Sequence, residues 1–336
     1  MSFTLIGEVL MDEKKKYSAA DWIIRPSTLA FIREGKKTPG YTFFDWLHGY
    51  VYARWPYLYI GLGTGEHRLA RKYKSLSNRL DQILPKRLDG RSQKRHVASL
   101  SAGTPTNTTA DGYHGKVVTL EAARQLVTVD EPVRLENLEQ VIPYTRARDI
   151  VLQNPDHIIA LECPCRTSRE NPCLPLDVCL IIGEPFASFI AEHEPRRSRW
   201  ITSAEAVEIL SAEDERGHVH HAFFKDAMLG RFYAICNCCD CCCGAMQAQR
   251  NGTPMLVNSG YVCRVDEDLC IDCGTCHEYC QFDALSEDGY VTVVNVEKCM
   301  GCGVCVSKCD QGAISLERDQ TRGEPLEIQT LMDQVV

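Results

Sequence analysis

Two cysteine runs near the C-terminus carry the clearest chemistry in this chain. The first places thiols at Cys270, Cys273, Cys276 and Cys280, and the second at Cys299, Cys302, Cys305 and Cys309. Both read C-x2-C-x2-C-x3-C, the spacing that surrounds a cubane [4Fe–4S] cluster with thiolates. Two-residue gaps let three sulfurs converge on three iron corners of one cube. The fourth cysteine of each run is expected to open a helix directed away, so that it reaches the other cluster. Paired zinc knuckles are the competing reading, because zinc also accepts four thiolates. Duplication of one four-cysteine spacing favours iron–sulfur chemistry and hence electron transfer.

On these residues, roughly 261–317 resembles the bacterial two-cluster ferredoxins. The resemblance implies one [4Fe–4S] cluster on Cys270, Cys273, Cys276 and Cys309, and a second on Cys299, Cys302, Cys305 and Cys280. It also implies a duplicated βαβ fold, each half a short strand, a cluster loop, a short helix and a return strand. The proline that follows the fourth cysteine in that family is replaced by Gln281 and Asp310, a departure that bears on loop rigidity and potential rather than on ligation.

Eleven further cysteines lie upstream of these runs. Cys163, Cys165, Cys173 and Cys179 form one group, Cys236, Cys238, Cys239, Cys241, Cys242 and Cys243 a second, and Cys263 stands alone. A helix over 236–243 would put Cys236, Cys239 and Cys243 on one face and Cys238, Cys241 and Cys242 on another. A loop would let neighbouring sulfurs diverge toward two metals. One cubane takes four ligands, so it cannot use all six. Thiolates of 163–179 are expected to join those of 236–243 around one or two further [4Fe–4S] clusters. A zinc or metallothionein-like site and unligated redox thiols are the alternatives. Arg166, between candidate ligands, is a candidate hydrogen-bond donor to cluster sulfur, with a surface salt bridge as the plain alternative. The CPCR element, two cysteines and the CNCCxCCC run ahead of a ferredoxin resemble iron–sulfur proteins of anaerobic bacteria, which adds the presence of clusters and no specific activity.

The elements that must position these thiols are spread over 336 residues, enough for two or three domains. Hydrophobic residues make up 44% and charged residues 24%, as in soluble globular proteins. The N-terminal residues include Glu8, Asp12 and Glu13, where a secretory signal needs a basic stretch. No apolar run approaches the ~20 residues that span a bilayer. A reducing cytoplasm with metal-held thiolates is therefore expected, with the inner face of the membrane as an accessory location.

Charge is unevenly placed. Residues 1–116 carry 19 Lys+Arg against 10 Asp+Glu, and the remainder 18 against 35. Opposite poles steer partners of opposite charge. No finger, helix-turn-helix or RNA-binding signature accompanies the basic pole, so nucleic acid is not an expected partner.

The expected fold class is α+β: the ferredoxin-type domain, preceded by a mixed α/β cysteine-rich domain and a mainly helical, basic N-terminal region. The boundaries are 1–88 for a basic aromatic-rich docking region, 89–116 for a linker, 117–260 for the cysteine-rich domain, 261–317 for the ferredoxin and 318–336 for a tail. Nine of the residues from Tyr41 to Tyr59 are aromatic. They read either as a docking surface for a partner or membrane or as a small core. Leu69, Tyr73, Leu76, Leu80 and Ile83 recur as one face of a helix over 66–84. Helices are also expected over Leu120–Leu126 and Val141–Leu152, a strand over Ile158–Leu161, and a capped helix from Thr202 toward Gly217. His218, His220 and His221 are expected in a solvated turn, with a ligand or proton-relay role as the alternative. Gly61, Gly63 and Gly65 lack the G-x-G-x-x-G spacing of a dinucleotide site.

These residues read together as an electron-transfer subunit of an oxidoreductase, partnered by redox proteins or other subunits, with peripheral membrane contact as a further expectation. A stand-alone reductase with a catalytic cluster in 163–243, and a redox or iron sensor, are the readings from other classes.

Overall fold

Alternation along two strands decides where the upstream thiols go. Side chains of a strand point to opposite faces in turn. In the computed structural model, which describes residues 25–67, 70 and 109–334, an eight-stranded sheet forms the centre. Its elements are β1 (Tyr113–Val118), β2 (Val133–Leu135), β3 (Ile150–Leu161), β4 (Cys179–Glu184), β5 (Ser198–Ile201), β6 (Val219–Lys225), β7 (Arg231–Cys238) and β8 (Leu256–Val257). The order is β2-β3-β4-β7-β6-β1-β8, with β5 also paired to β3. Pairings are antiparallel except between β1 and β8.

One face of this sheet buries Ile158, Ala160, Leu180, Ile182, Ala222, Phe224 and Ile235. The other buries Ile159, Leu161, Cys179, Ile181, Phe223, Ala234 and Cys238. Three N-terminal helices are described, α1 (Pro26–Lys37), α2 (Phe43–Arg54) and α3 (Pro56–Gly63). They are followed by a single turn, α4 (Thr109–Gly112), then α5 (Leu120–Thr128), α6 (Pro164–Thr167), α7 (Phe186–His193), α8 (Ser203–Glu215) and α9 (Gly244–Arg250). Helices α5 and α8 cover the first face through Leu126 and Leu210. Helices α1, α2 and α7 cover the second through Phe31, Tyr52 and Phe189.

The aromatic stretch is therefore divided. Phe31 stands edge-on to Phe186 and Phe189 at 5.8 and 5.9 Å, and the Tyr52 hydroxyl lies 2.7 Å from that of Tyr233. Phe43 and Phe44 remain 65% and 78% exposed. Helix α2 starts at a full capping box between Thr42 and Asp45. In α8 the Thr202 side chain accepts from the Glu205 N–H, and the helix gives way to Gly217 at φ +79°.

Several local expectations change. Residues 141–149 form no helix, and Ile150 and Leu152 open β3 instead. Pro143 disfavours the helical region for Ile142, and Ala147 takes φ +51°. Burial of Ile142, Ile150 and Leu152 in the core then settles the extended course. The expected linker also ends early, because Tyr113 to Lys116 lie in β1. Of the expected helix over 66–84, residues 68, 69 and 71–84 lie outside the described residues.

The C-terminal part folds as β9 (Tyr261–Val265), α10 (Thr275–Tyr279), β10 (Leu285–Glu287), β11 (Thr292–Val294), α11 (Val304–Ser307) and β12 (Ile314–Arg318). Strand β9 pairs antiparallel with β12, and β10 with β11. A last helix, α12 (Ile328–Asp333), returns to the large core, where Leu326 and Ile328 are buried. Among the described residues no helix is long and apolar enough to cross a membrane.

The two parts meet through Val117 and Val219 of the sheet and Val304 of α11, with Tyr279, Phe282 and Met300 packed around them. Gly217 sits against Tyr279: a Cβ there would lie 2.5 Å from the ring. Lys308 donates to the Glu215 carbonyl at 2.9 Å.

Candidate metal centres

In the C-terminal part the two cysteine runs form mirrored loops. Gly274 and Gly303 stand at φ +76° and +85°, a region costly for side chains with a Cβ. They turn each loop into α10 and α11, which carry Cys276 and Cys305. The fourth cysteines do not open helices: Cys280 caps the C-terminal end of α10, and Cys309 lies just beyond α11. The helix instead places the third cysteine and delivers the fourth at its far end.

Backbone N–H groups aim at these sulfurs. Cys263 N lies 3.4 Å from Cys299 Sγ, Ala284 N 3.3 Å from Cys280 Sγ, and Thr292 N 3.5 Å from Cys270 Sγ. Such donors suit thiolates, the form in which cysteine ligates metal. Burial raises the Cys299 and Cys302 thiols, and the neighbouring charges of Cys305 and Cys280 add to the rise. Cys280 of the first run thus lies within electrostatic reach of the second set. Cys263, solitary in sequence, sits 3.7 Å by sulfur from Cys305.

A family model described as "4Fe-4S binding domain" matches residues 264–286 and 292–315. This segment is a ferredoxin-type iron–sulfur domain. Among curated proteins, none matches the chain. The thiol donors of the ferredoxin domain and the N–H groups aimed at them fit 4Fe–4S binding, and with the upstream cysteine cluster they indicate iron–sulfur electron transfer.

Upstream, β7 runs only to Cys238, residues 239–242 turn, and Cys243 caps α9. The six cysteines consequently diverge. Cys236 and Cys238 project from alternate positions of β7 to the same face as Cys179 of β4, which stands opposite Cys236. Cys179 and Cys236 are 3.2 Å apart by sulfur. Thiol contacts continue from Cys179 to Cys163, on to Cys165, then to Cys243 and Cys238. These six thiols line an apolar chamber with Tyr52, Tyr113, Leu161, Ile181, Phe223 and Tyr233. Contacts with neighbouring thiols, together with burial, push Cys163 up to about 12. Burial likewise holds the three tyrosines well above their usual range.

The other three thiols of the run gather at a second point, with Cys239 and Cys242 also bordering the chamber. Cys239, Cys241 and Cys242 meet Cys173, and the four sulfurs all lie within 4.8 Å of one another. The Cys173–Cys241 separation is 3.2 Å. Arg169 donates to the Cys242 carbonyl at 3.1 Å and pairs with Glu66. Gln247 donates to the Cys241 carbonyl at 3.1 Å. Burial raises Cys239 and Cys241 to about 12. Cys242 is lowered despite burial, because the Cys173 backbone N–H and the neighbouring thiols support its anion.

Arg166 is 1% exposed and lines the chamber. Its Nη2 donates to Glu213 at 2.5 Å and to the Asn237 carbonyl at 3.0 Å, and Nη1 donates to the Pro175 carbonyl at 2.6 Å. The ion pair is thus buried rather than superficial. Its Nε–H has no partner among the described residues, which leaves one buried donor beside the thiols.

The three histidines do not form a solvated turn. His220 and His221 belong to the start of β6, where alternation with Val219 and Phe223 sends His221 to the thiol face, while His218 lies buried just before the strand against Glu213. His221 is fully buried opposite Cys236, and neither ring nitrogen has a hydrogen-bond partner among the described residues. Burial pushes it down to about 3, so the ring is neutral. His220 faces the other side and meets the Asn237 oxygen at 2.6 Å. The signal for a strand lay in the alternation of Val219, His221 and Phe223, interrupted by no turn residue.

Proposed function

We propose that this chain is an electron-transfer subunit of a larger oxidoreductase, with two [4Fe–4S] clusters in the ferredoxin domain and a further one in the six-thiol chamber. Bound clusters supply reversible one-electron chemistry, with potentials set by ligands, hydrogen bonds to sulfur and burial. The chain's own residues hold thiolates, exclude water and aim N–H groups at sulfur. The ligand sets of the ferredoxin part are Cys270, Cys273, Cys276 with Cys309, and Cys299, Cys302, Cys305 with Cys280.

The observation that carries this reading is the contact between the two thiol-rich parts. Asp240, inside the upstream turn, donates its backbone N–H to the Gln281 side chain at 2.9 Å, and Gln281 adjoins Cys280. Packing of Val219 against Val304 supports the same close approach. Sites held this near to one another suit a wire. The Nε–H of Arg166 is a buried donor available to sulfur in the chamber.

A redox-active protein partner follows from this role. Phe43 and Phe44 offer an exposed apolar contact on the basic N-terminal part, for a partner subunit or for the inner face of the membrane. The test is anaerobic native purification of the full chain. A subunit bearing its own redox centre should co-elute and exchange single electrons with the reduced chain, and a Phe43→Ser/Phe44→Ser variant should release it. A chain that elutes alone would overturn the subunit role.

The second reading is a reductase. The apolar chamber, with Tyr52, Tyr113 and Tyr233 beside six thiols, has both the donors and the shelter that a substrate site needs. Reduction of a small molecule by the isolated chain would favour it.

A further inference from the structure

We propose that Cys173, Cys239, Cys241 and Cys242 hold a single tetrahedral metal ion, zinc or iron, separate from any cluster. Distance separates the two kinds of site. One ion with four sulfurs at ~2.3 Å holds those sulfurs about 3.8 Å from each other. In a cubane each thiolate ends on a different iron, so an iron–iron edge adds to every sulfur–sulfur separation. In this nest all four sulfurs lie within 4.8 Å of one another, and Cys241 and Cys242 are 3.6 Å apart.

The same chain contains its own comparison. Among the described residues the eight ferredoxin cysteines form no group of three or more sulfurs as compact as this one, and neither do the six chamber cysteines. The nest is the exception, and it contains four thiols, the number that closes a structural tetrahedron. An all-sulfur tetrahedron selects zinc or iron over harder ions.

The surrounding residues hold the turn from outside. Arg169 and Gln247 grip the carbonyls of Cys242 and Cys241, and Arg250 pairs with Asp240 at 3.0 Å. Binding a divalent ion releases four thiol protons to solvent and leaves a local charge of −2. Cys241 is exposed, which gives the ion an entry from water. Such a site would fix the turn whose Asp240 meets Gln281, and would do so whether or not the chain carries electrons.

The test uses the full chain, purified anaerobically, with metal and acid-labile sulfide quantified. X-ray absorption at the zinc edge should show one ion with four sulfur neighbours and no metal–metal distance, or, if the ion is iron, Mössbauer spectra should show one mononuclear tetrathiolate iron beside the cluster irons. Cys241→Ser and Cys173→Ser should each remove one equivalent of that ion and no sulfide. Cluster signals of the ferredoxin domain, unchanged in both variants, establish that they fold. Loss of about four irons with about four sulfides would make the nest a cubane and overturn the proposal. Unchanged metal content in both variants would overturn it equally.

Discussion

Gln281 and Asp240 join the two thiol-rich parts of the chain through one hydrogen bond of 2.9 Å. Gln281 stands where two-cluster ferredoxins carry proline, a residue whose ring offers no side-chain acceptor. The substitution thus exchanges local rigidity for a tether to the upstream turn. Arg250 reinforces it by donating to the Gln281 carbonyl at 3.1 Å and pairing with Asp240.

Gln281→Ala leaves the half-buried Asp240 N–H without that acceptor. A loss of about 1 kcal/mol in unfolding free energy is expected. Metal should leave the Cys173–Cys242 nest faster under a chelator, while iron in the ferredoxin domain stays constant. Chelator-release kinetics beside iron quantitation check both parts.

Gly301 is a steric requirement. It adopts φ +64°, and a Cβ would fall 2.2 Å from the Tyr261 carbonyl oxygen. Gly301→Ala should destabilise the chain by more than about 2 kcal/mol. The loop that carries Cys299 and Cys302 would shift, so the cluster of that run should be lost first. Electron paramagnetic resonance of the reduced variant distinguishes one retained cluster from two.

Crosswise ligation makes opposite demands on the fourth cysteines. Cys280→Ser should disturb the signal of the cluster on Cys299, Cys302 and Cys305, and Cys309→Ser that of the cluster on Cys270, Cys273 and Cys276. The same spectroscopy reads both. Disturbance of its own run by each variant would refute the crossing.

His114 supplies a pH dependence away from the thiols. It is fully buried, donates from Nδ1 to the Ala110 carbonyl, and burial lowers it to about 4. Its folded value lies below the ordinary 6.5, so the stability it contributes is present above pH 6.5 and is lost as pH falls through about 4. The difference in unfolding free energy between pH 7 and pH 4 should shrink by about 3 kcal/mol in His114→Gln. Denaturant titration at the two pH values measures it.

The ferredoxin domain was legible because its chemistry is local: eight cysteines at fixed spacing write the loops directly. The upstream sites were not, because Cys173 meets Cys241 across 68 positions of sequence. A run of six cysteines in eight residues also hides its own geometry. Cys236 and Cys238 obey strand alternation, whereas Cys239, Cys241 and Cys242 obey a turn, and spacing alone allowed a helix or a loop. His221 was misplaced for a related reason. Three histidines beside Gly217 look polar, yet pairing with β1 and β7 buries His220 and His221. The aromatic stretch from Tyr41 to Tyr59 allows a docking surface or a core by sequence alone, and the fold buries Tyr52 while leaving Phe43 and Phe44 exposed.

Iron and sulfide content of the anaerobically purified full chain tests the account most directly. Two clusters in the ferredoxin domain and one in the chamber predict about twelve irons and about twelve sulfides, with one additional thiolate-bound ion. Changing Cys163, Cys179 and Cys236 together should lower both counts by about four and leave the ferredoxin signals intact. A full chain with only about eight irons, unchanged by that triple variant, would contradict the account.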